Sequence, residues 1–281
     1  MEWIFALILF ISVFIYMGFR NFIPIVQGIA ILFTVIIALT AAIYFNHEKL
    51  VIAITNSDIQ TKSAIQTKEQ DAYVYEMIKI QEQVLLNAPI ISQFPELARG
   101  CEVTSLAMLL QFHGYDVDKL TLAQEIAKDP TTYKNINGQI FFGHPNTGFV
   151  GNMYSYAEPG LGVYHKPIKE LAEKYAPGKV IDLTGSDFTS VQIYLSQGLP
   201  VWVITNTSYQ ALPETEFEAW QTPSGPIKIT YKEHSVLLTG YDEQFVYFND
   251  PLTGEKNKKA PMIEFVQSWT QMGSQAIAIN H

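Results

Sequence analysis

Two long apolar segments at the start of the chain dominate its pattern of hydrophobic and polar residues. Residues 3–19 are almost entirely apolar, Arg20 and Asn21 interrupt the run, and residues 23–45 are again apolar apart from one glutamine and some small or hydroxyl side chains. Helices of about 17 and 23 residues are close to the length that crosses a bilayer. The pattern therefore predicts a transmembrane helical hairpin over residues 1–45. A cleaved signal peptide fits less well, because no basic segment precedes the first run and a second run follows at once.

The charges around the predicted hairpin indicate its orientation. Arg20 lies in the short connection, and basic loops favour the cytoplasmic side, which places the N-terminus and everything after Phe45 outside the cytoplasm. Three basic or histidine residues soon after Phe45 pull weakly the other way, although long domains translocate regardless of their charges. We expect a multi-pass protein of the cell membrane with an extracytoplasmic domain. Residues 46–84 are polar and mixed, and they are predicted to form a tether or helical linker.

The pattern of residues 85–281 predicts a single α+β domain. A helix is expected from Cys101 onward, because apolar residues recur at helical spacing up to Leu110 and Gly114 ends the pattern. Further helices are predicted over residues 121–128, 167–175 and 187–198, and strands near residue 85, over 200–205 and on both sides of a turn at 242–244. Helices come first and strands later, which suits a helical part that meets an antiparallel sheet. Residues 130–162 are predicted to form a long loop that either lines a cleft or decorates the fold.

Composition and motif content exclude several classes of function. The formal net charge is −9, and without Glu2 and Arg20 the remaining 26 acidic and 17 basic residues give the same value. This acidic excess argues against a nucleic-acid partner. The single cysteine excludes an internal disulfide. The chain has no HExxH or CxxC metal spacing and no glycine-rich phosphate loop, so we predict neither a metal nor a cofactor.

Cys101 is the first candidate for chemistry. It follows Gly100 at the start of the predicted helix and lies outside the apolar stripe. The unpaired backbone N–H groups and the dipole at a helix N-terminus stabilise an anion, so this position is expected to lower the pKa of the thiol and favour the nucleophilic thiolate. The alternative is that Cys101 is a small buried hydrophobic residue, as lone cysteines often are.

A base and an orienting carboxylate are predicted on the hairpin that follows. If the turn is Asp242 to Gln244, so that Tyr241 faces Phe245, His234 and Asp250 fall on the same face of the hairpin, with Cβ atoms roughly 7 Å apart. A hydrogen bond between the two side chains would fix the tautomer of the imidazole and present its other nitrogen to a nucleophile. The alternatives are a strand-end histidine and an aspartate that only forms the turn before a proline.

Two segments together resemble a known family. The motifs GCEVTSLAMLLQFHG, with a glutamine upstream, and HSVLLTGYDEQFVYFNDP are similar to those of papain-like cysteine peptidases of the bacteriocin-leader-processing (double-glycine leader) type, in particular stand-alone bacterial members. The resemblance implies a papain-like fold, in which the helical part carries the cysteine and the antiparallel sheet carries the histidine and the aspartate. It implies Cys101 as the nucleophile, His234 as general base and acid, and Asp250 as the orienting residue. It also implies that the side chain of Gln93 forms the oxyanion hole with the backbone N–H of Cys101.

The expected function is that of a membrane-anchored cysteine peptidase that cleaves a peptide or protein substrate through a thioester intermediate. The loop from Gln93 to Cys101 is longer than in the leader-processing transporters, and the chain lacks an ATP-binding domain, which argues against a peptide exporter. Two alternatives remain open. One is a cell-wall peptide amidase or an acyltransferase with the same three residues, and the other is a non-catalytic, membrane-tethered binding domain of the same fold.

Overall fold

The computed structural model describes residues 2–18, 33–37, 40–41 and 80–281, which fall into two compact units, Met1–Glu76 and Met77–His281. In the first unit, helix α1 spans Glu2–Gly18. Within the described ranges, no helix combines the length and apolar character needed to cross a membrane. Most of the predicted second transmembrane helix, and the predicted tether up to residue 79, lie outside the described residues. The hairpin and the tether therefore stay predictions.

The second unit contains five helices and thirteen strands among its described residues. The helices are α2 (Cys101–Phe112), α3 (Lys119–Glu125), α4 (His165–Tyr175), α5 (Phe188–Ser196) and α6 (Met262–Gln271), with one 3-10 turn at Glu214–Glu216. The strands are β1 (Val84–Leu85), β2 (Lys128–Asp129), β3 (Lys134–Ile136), β4 (Gln139–Phe141), β5 (Phe149–Val150), β6 (Val180–Asp182), β7 (Val201–Asn206), β8 (Glu218–Thr222), β9 (Gly225–Ile229), β10 (Glu233–Tyr241), β11 (Phe245–Asp250), β12 (Glu255–Pro261) and β13 (Ala276–Ile279).

A seven-stranded antiparallel sheet is the centre of this unit. Its order is β12-β11-β10-β7-β13-β6, and β1 also pairs with β10. Alternate side chains of the central strands enter two separate apolar clusters. Trp202 and Leu237 join the cluster that contains the apolar side chains of α2, α3 and α4, whereas Val203 and Val236 join the cluster that contains those of α5 and α6. Helices therefore cover both faces, which explains why the central parts of β7 (residues 201–204) and β10 (residues 236–238) are continuous apolar runs.

Helix α2 begins at Cys101, as the sequence predicts. Gly100 precedes it, and a Cβ atom there would lie 2.5 Å from the Cβ atom of Leu97, so the approach of the loop to the helix requires glycine. The first ten residues of α2 are buried, because the helix packs against β10 on one side and α3 and α4 on others. Gly114 has a φ of +82°, the left-handed conformation common just after a helix.

Other predicted boundaries differ by a few residues. Helix α3 starts at Lys119 and not at the predicted residue 121, because the side chain of Asp118 accepts hydrogen bonds from the backbone N–H groups of Leu120 and Thr121. The segment 130–162 is not a plain loop, since it contains β3, β4 and β5. Strands β3 and β4 join β8 and β9 in a second sheet of four strands. The sequence does not reveal these strands because they are only two to five residues long, which is too short for an alternation of apolar and polar residues to be recognised.

Candidate active site

Cys101 lies at the first position of α2 and is only 7% exposed. Its Sγ donates a hydrogen bond to Oε2 of Glu102 over 3.3 Å. The start of the helix is held against the sheet by Trp202 of β7, whose indole N–H donates to the backbone carbonyl of Glu102 at 3.0 Å. The structure thus places the thiol where the sequence predicts, at a helix N-terminus, but in a buried and acidic setting.

The expectation of a lowered thiol pKa is wrong for this state of the protein. Burial raises the pKa of Cys101 well above its usual value, and the nearby carboxyl groups of Glu102 and Glu233 raise it further. The backbone N–H of Ser235 acts in the opposite direction but does not offset these effects. The helix dipole is worth at most a few kcal/mol, less than the cost of burying an anion beside other acidic groups. The resting thiol is therefore neutral.

His234 and Asp250 are brought together by the pairing of β10 and β11. Nε2 of His234 and Oδ1 of Asp250 are 2.9 Å apart, and both side chains are buried. The turn itself differs from the prediction, because Tyr241 pairs with Val246 and not with Phe245. An irregularity between Leu238 and Gly240 shifts the register by one residue and so restores the pairing that the sequence suggests near the histidine.

The carboxylate of Asp250 accepts hydrogen bonds on both oxygens. Besides His234, Oδ1 accepts from the backbone N–H of Leu252 at 2.9 Å. Oδ2 accepts from three side chains, namely Tyr209 at 2.8 Å, Thr253 at 2.9 Å and the ammonium group of Lys258 at 2.8 Å. Burial alone raises the pKa of Asp250, but the hydrogen bond and charge of His234, followed by the hydrogen bonds of Lys258 and Tyr209, hold the pKa well below its usual value. Asp250 is therefore ionised across the physiological range.

Sequence reasoning missed the three side chains that bind Oδ2. Lys258 lies on β12, the strand that returns along β11, and predicting that strand would have placed a lysine near Asp250. Thr253 follows Asp250 by three residues, a spacing typical of aspartate turns, so it carried a local signal. Tyr209 comes from the segment after β7, and nothing in the sequence pattern connects it to the aspartate.

Gln93 is brought to the same site, but its amide is engaged elsewhere. The side chain is 2% exposed, and its Nε2 donates to the backbone carbonyls of Leu97 at 3.2 Å and Ala98 at 3.0 Å. Its Oε1 is buried without a hydrogen-bond partner among the described residues. Both amide hydrogens therefore bind the loop that leads into α2. A role in an oxyanion hole stays a prediction, and it requires Nε2 to exchange one of these carbonyls for the substrate oxygen.

A cavity of about 150 Å³ joins three of the four predicted site residues. It is lined by Gln93, Ala98, Arg99, Cys101, Tyr156, Gly160, Leu161, Thr207, Tyr231, Glu233, His234 and Leu252. Asp250 lies behind the histidine and is completely buried. Three lining residues belong to the segment 130–162, which therefore lines the cleft, one of the two roles considered from its sequence.

One further cluster adjoins the cysteine. Ligand atoms of Cys101, Glu102 and Glu233 lie within 4.8 Å of one another, and this is the only group of three such side chains in the part of the chain that the structure describes. Glu102 is 1% exposed and Glu233 8% exposed. Burial raises the pKa of Glu102 to about 7, and burial together with the charge of Glu102 raises the pKa of Glu233 well above its usual value. Sequence motifs did not reveal this cluster, because its members come from α2 and β10.

Comparison with known proteins gives a consistent result. Residues 85–277 match the Peptidase C39-like family. The chain is 47% identical over 223 residues to the uncharacterized protein YvpB of Bacillus subtilis (strain 168), an alignment that covers 79% of this chain and 83% of YvpB. It also resembles a crystal structure described as a C39-like peptidase from Bacillus anthracis, with 49% identity, a TM-score of 0.67, and coverage of 72% of this chain and 98% of that one. The chain therefore belongs to the C39-like peptidase family and has its fold of mixed helices and sheets.

Proposed function

We propose that this chain is a cysteine peptidase that hydrolyses peptide bonds with Cys101 as nucleophile, His234 as general base and acid, and Asp250 as the orienting carboxylate. The observation that carries the proposal is the 2.9 Å hydrogen bond between His234 and Asp250. His234 also lines the same cavity as Cys101. Membership of the C39-like peptidase family supports the same chemistry.

The proposed reaction begins with proton transfer from the thiol. Nε2 of His234 is bonded to Asp250, so Nδ1 is the ring nitrogen left to accept the proton of Sγ. Because the resting thiol is neutral, the thiolate forms only as this proton moves. Sγ then attacks the peptide carbonyl carbon, and the imidazolium that results is stabilised by the ionised Asp250.

The remaining steps return the enzyme to its starting state. The negative oxygen of the tetrahedral intermediate is stabilised by the backbone N–H of Cys101, which has no acceptor within α2 because it lies in the first turn. Nε2 of Gln93 is the proposed second donor. The C–N bond breaks as Nδ1–H protonates the leaving amine, and a thioester remains on Cys101. Nδ1 then takes a proton from water, and the hydroxide attacks the thioester carbon. The C–S bond breaks and a carboxylic acid is released, and the proton on Nδ1 returns to Sγ, which restores the neutral thiol and imidazole.

The test uses the full chain and a mixture of peptides analysed by mass spectrometry. Hydrolysis predicts product pairs whose summed mass exceeds that of the parent peptide by one water, and Cys101→Ser and His234→Ala are expected to abolish them. His281→Ala, which removes an exposed histidine, is the matched control and should leave the rate unchanged. Products in which an added amine replaces water would contradict hydrolysis and favour the acyltransferase alternative. If no peptide is hydrolysed, the rate of Cys101 alkylation is compared in His234→Ala and His281→Ala. Equal rates would show that His234 does not act on the thiol and would favour a binding domain.

We also propose that residues 1–45 anchor the peptidase to the cell membrane, with the catalytic domain outside the cytoplasm. The two apolar segments and Arg20 between them support this placement. An exposed cysteine introduced as Glu264→Cys in the Cys101→Ser background gives the chain one accessible thiol. Labelling of intact cells by a membrane-impermeant maleimide is expected, and labelling only after lysis would contradict the orientation.

A further inference from the structure

Two buried glutamates lie next to the proposed nucleophile and base. Glu102 follows Cys101 on α2, and Glu233 precedes His234 on β10. The two elements pack directly against each other, and the hydroxyl of Ser105 on α2 donates to the backbone carbonyl of Ser235 on β10 at 3.2 Å. Any bond between the two glutamates therefore links the helix of the nucleophile to the strand of the base.

The space around the carboxyl groups is closed. Their side chains are at least nine-tenths buried, and one carboxyl oxygen of Glu102 lies within 4.8 Å of one carboxyl oxygen of Glu233. Gly162 is packed against both, since a Cβ atom there would lie 2.7 Å from Oε2 of Glu233 and would also overlap Oε1 of Glu102. Two carboxylates with full charge at this separation, away from water, would repel each other strongly.

The cluster lacks a hydrogen-bond donor for one carboxyl oxygen and a cation to balance its charge. Glu102 accepts from the backbone N–H of Val163 at 2.7 Å on Oε1 and from Cys101 on Oε2. Oε1 of Glu233 is buried without a partner. Across residues 80–281, no lysine, arginine or histidine forms an ion pair with either glutamate. The cluster thus contains two buried acceptor groups without a compensating cation.

We propose that Glu102 and Glu233 share one proton, and that the resulting hydrogen bond makes them positioning residues that hold Cys101 against His234. This inference rests on the proposed function for its catalytic meaning, but the shared proton itself does not depend on it. A protonated carboxyl group supplies the missing donor and removes one of the two charges. Aspartic proteases provide a precedent, in which two carboxyl groups about 3 Å apart share one proton because they cannot both ionise.

The electrostatics of neighbouring groups fit this arrangement. Burial raises the pKa of Glu102 to about 7, and burial together with the charge of Glu102 raises the pKa of Glu233 well above its usual value, so the site favours a proton on the pair. The other titratable side chains that feel the pair are Cys101 on α2 and Tyr164, which leads into α4; the pKa of each is raised by burial and by both glutamates. Charge on the pair therefore disfavours the thiolate, and protons on the pair favour it.

The first test detects the proton directly in the full chain. Infrared difference spectra at pH 8 compare the wild type with the double variant Glu102→Gln/Glu233→Gln, and the expected result is the C=O stretch of one protonated carboxyl group in the wild type only. Glu170→Gln, an exposed glutamate on α4, is the control and should leave the band in place. A wild-type spectrum without this band would overturn the proposal, whether or not the variant folds.

The second test measures how the pair acts on the thiol. Alkylation of Cys101 is followed against pH in the wild type, Glu102→Gln and Glu170→Gln. Loss of the neighbouring charge should lower the pH at which the thiol titrates, and the rate at pH 8 should rise on the order of tenfold for each pKa unit of that shift. A role in packing alone predicts an unchanged titration, and that result would overturn the proposal.

The two proposals fail in different ways. A chain that hydrolyses no peptide but shows the infrared band and the altered thiol titration refutes the proposed function and keeps the shared proton. A chain that hydrolyses peptides without those two signatures refutes the shared proton alone. Protection of the wild-type thiol by added Zn²⁺, absent in Glu233→Gln, would also overturn the proposal, because it would show that the cluster holds a metal ion in place of the proton.

Discussion

Replacement of Asp250 by asparagine tests the geometry of the site most directly. Asparagine has the same shape, so the change removes the charge and one acceptor without leaving a cavity. If the amide oxygen takes the position of Oδ1, His234 keeps its partner, but the amide NH₂ then faces the three donors that bind Oδ2. Asp250→Asn therefore separates the hydrogen bond to the histidine from the charge that stabilises the imidazolium.

The expected loss of stability can be worked out from these donors. Two are neutral hydroxyl groups, each worth about 1 kcal/mol, and the third is the ammonium group of Lys258, whose bond to a carboxylate is worth about 1.5–3 kcal/mol. The side chain of Lys258 is 24% exposed and can turn to water, so its contribution belongs at the lower end of that range. We expect a decrease of about 3.5 kcal/mol in the free energy of unfolding, or roughly 7–14 °C in Tm for a domain of this size.

The expected effect on catalysis is larger than the effect on folding. Without the negative charge behind it, the imidazolium that forms in the proposed mechanism is less stable, and asparagine can also hold the wrong tautomer. We expect kcat to fall by on the order of 10²–10⁴ with a smaller change in KM. Urea unfolding and steady-state hydrolysis measure the two quantities on the same preparation. Wild-type kcat in a folded Asp250→Asn protein would refute the assigned role of the carboxylate.

Three further substitutions test other contacts of the site. Lys258→Met removes one donor to Asp250 but keeps the bond to His234, so kcat should fall by about tenfold or less, and a loss as large as that of Asp250→Asn would contradict this separation. Gln93→Ala should reduce kcat by about 10²–10³ with little change in KM if its amide joins the oxyanion hole, and an unchanged kcat would restrict Gln93 to holding the loop. Gly162→Ala should destabilise the fold by about 1–3 kcal/mol in urea unfolding, because the added methyl group overlaps Glu233 and its partner; wild-type stability would mean that the glutamates are not held as described.

The parts of the site that could be predicted from sequence are those with a strong local pattern. The helix from Cys101 has apolar residues at helical spacing, and β10 and β11 are apolar runs around an obvious turn, so the elements and their pairing follow from short-range rules. The predicted partner of Tyr241 is wrong by one residue. An irregularity in β10 between Leu238 and Gly240 shifts the register back, and no local rule would reveal it. The strands of the second sheet are only three to five residues long, too short for a periodic pattern to predict them.

What the sequence could not predict is the environment of each reactive group. A helix N-terminus suggested an activated thiol, but the burial of Cys101 reverses the direction of the pKa shift, and the carboxyl groups of Glu102 and Glu233 add to this effect. Both the burial and the position of Glu233 depend on how β10 packs against α2. The same holds for Asp250, whose three additional donors come from separate segments. Residue types and spacing indicate candidates for chemistry, whereas the protonation state depends on tertiary contacts.

The two groups of acids at the site have opposite effects on the pH dependence of stability. The folded-state pKa of Asp250 is lowered, so its contribution is present above its unfolded pKa, near 4, and is lost as the pH falls through the folded value. The folded-state pKa of Glu102 is raised to about 7, so its protonated form favours folding below an unfolded pKa near 4.5, and that contribution is lost as the pH rises towards 7. These two groups together predict greatest stability in the mildly acidic range. Urea midpoints measured against pH test both groups. In Asp250→Asn the midpoint should no longer fall at acid pH, and in Glu102→Gln it should no longer decline between about pH 5 and 7. A decline that persists in Glu102→Gln would show that another group causes it.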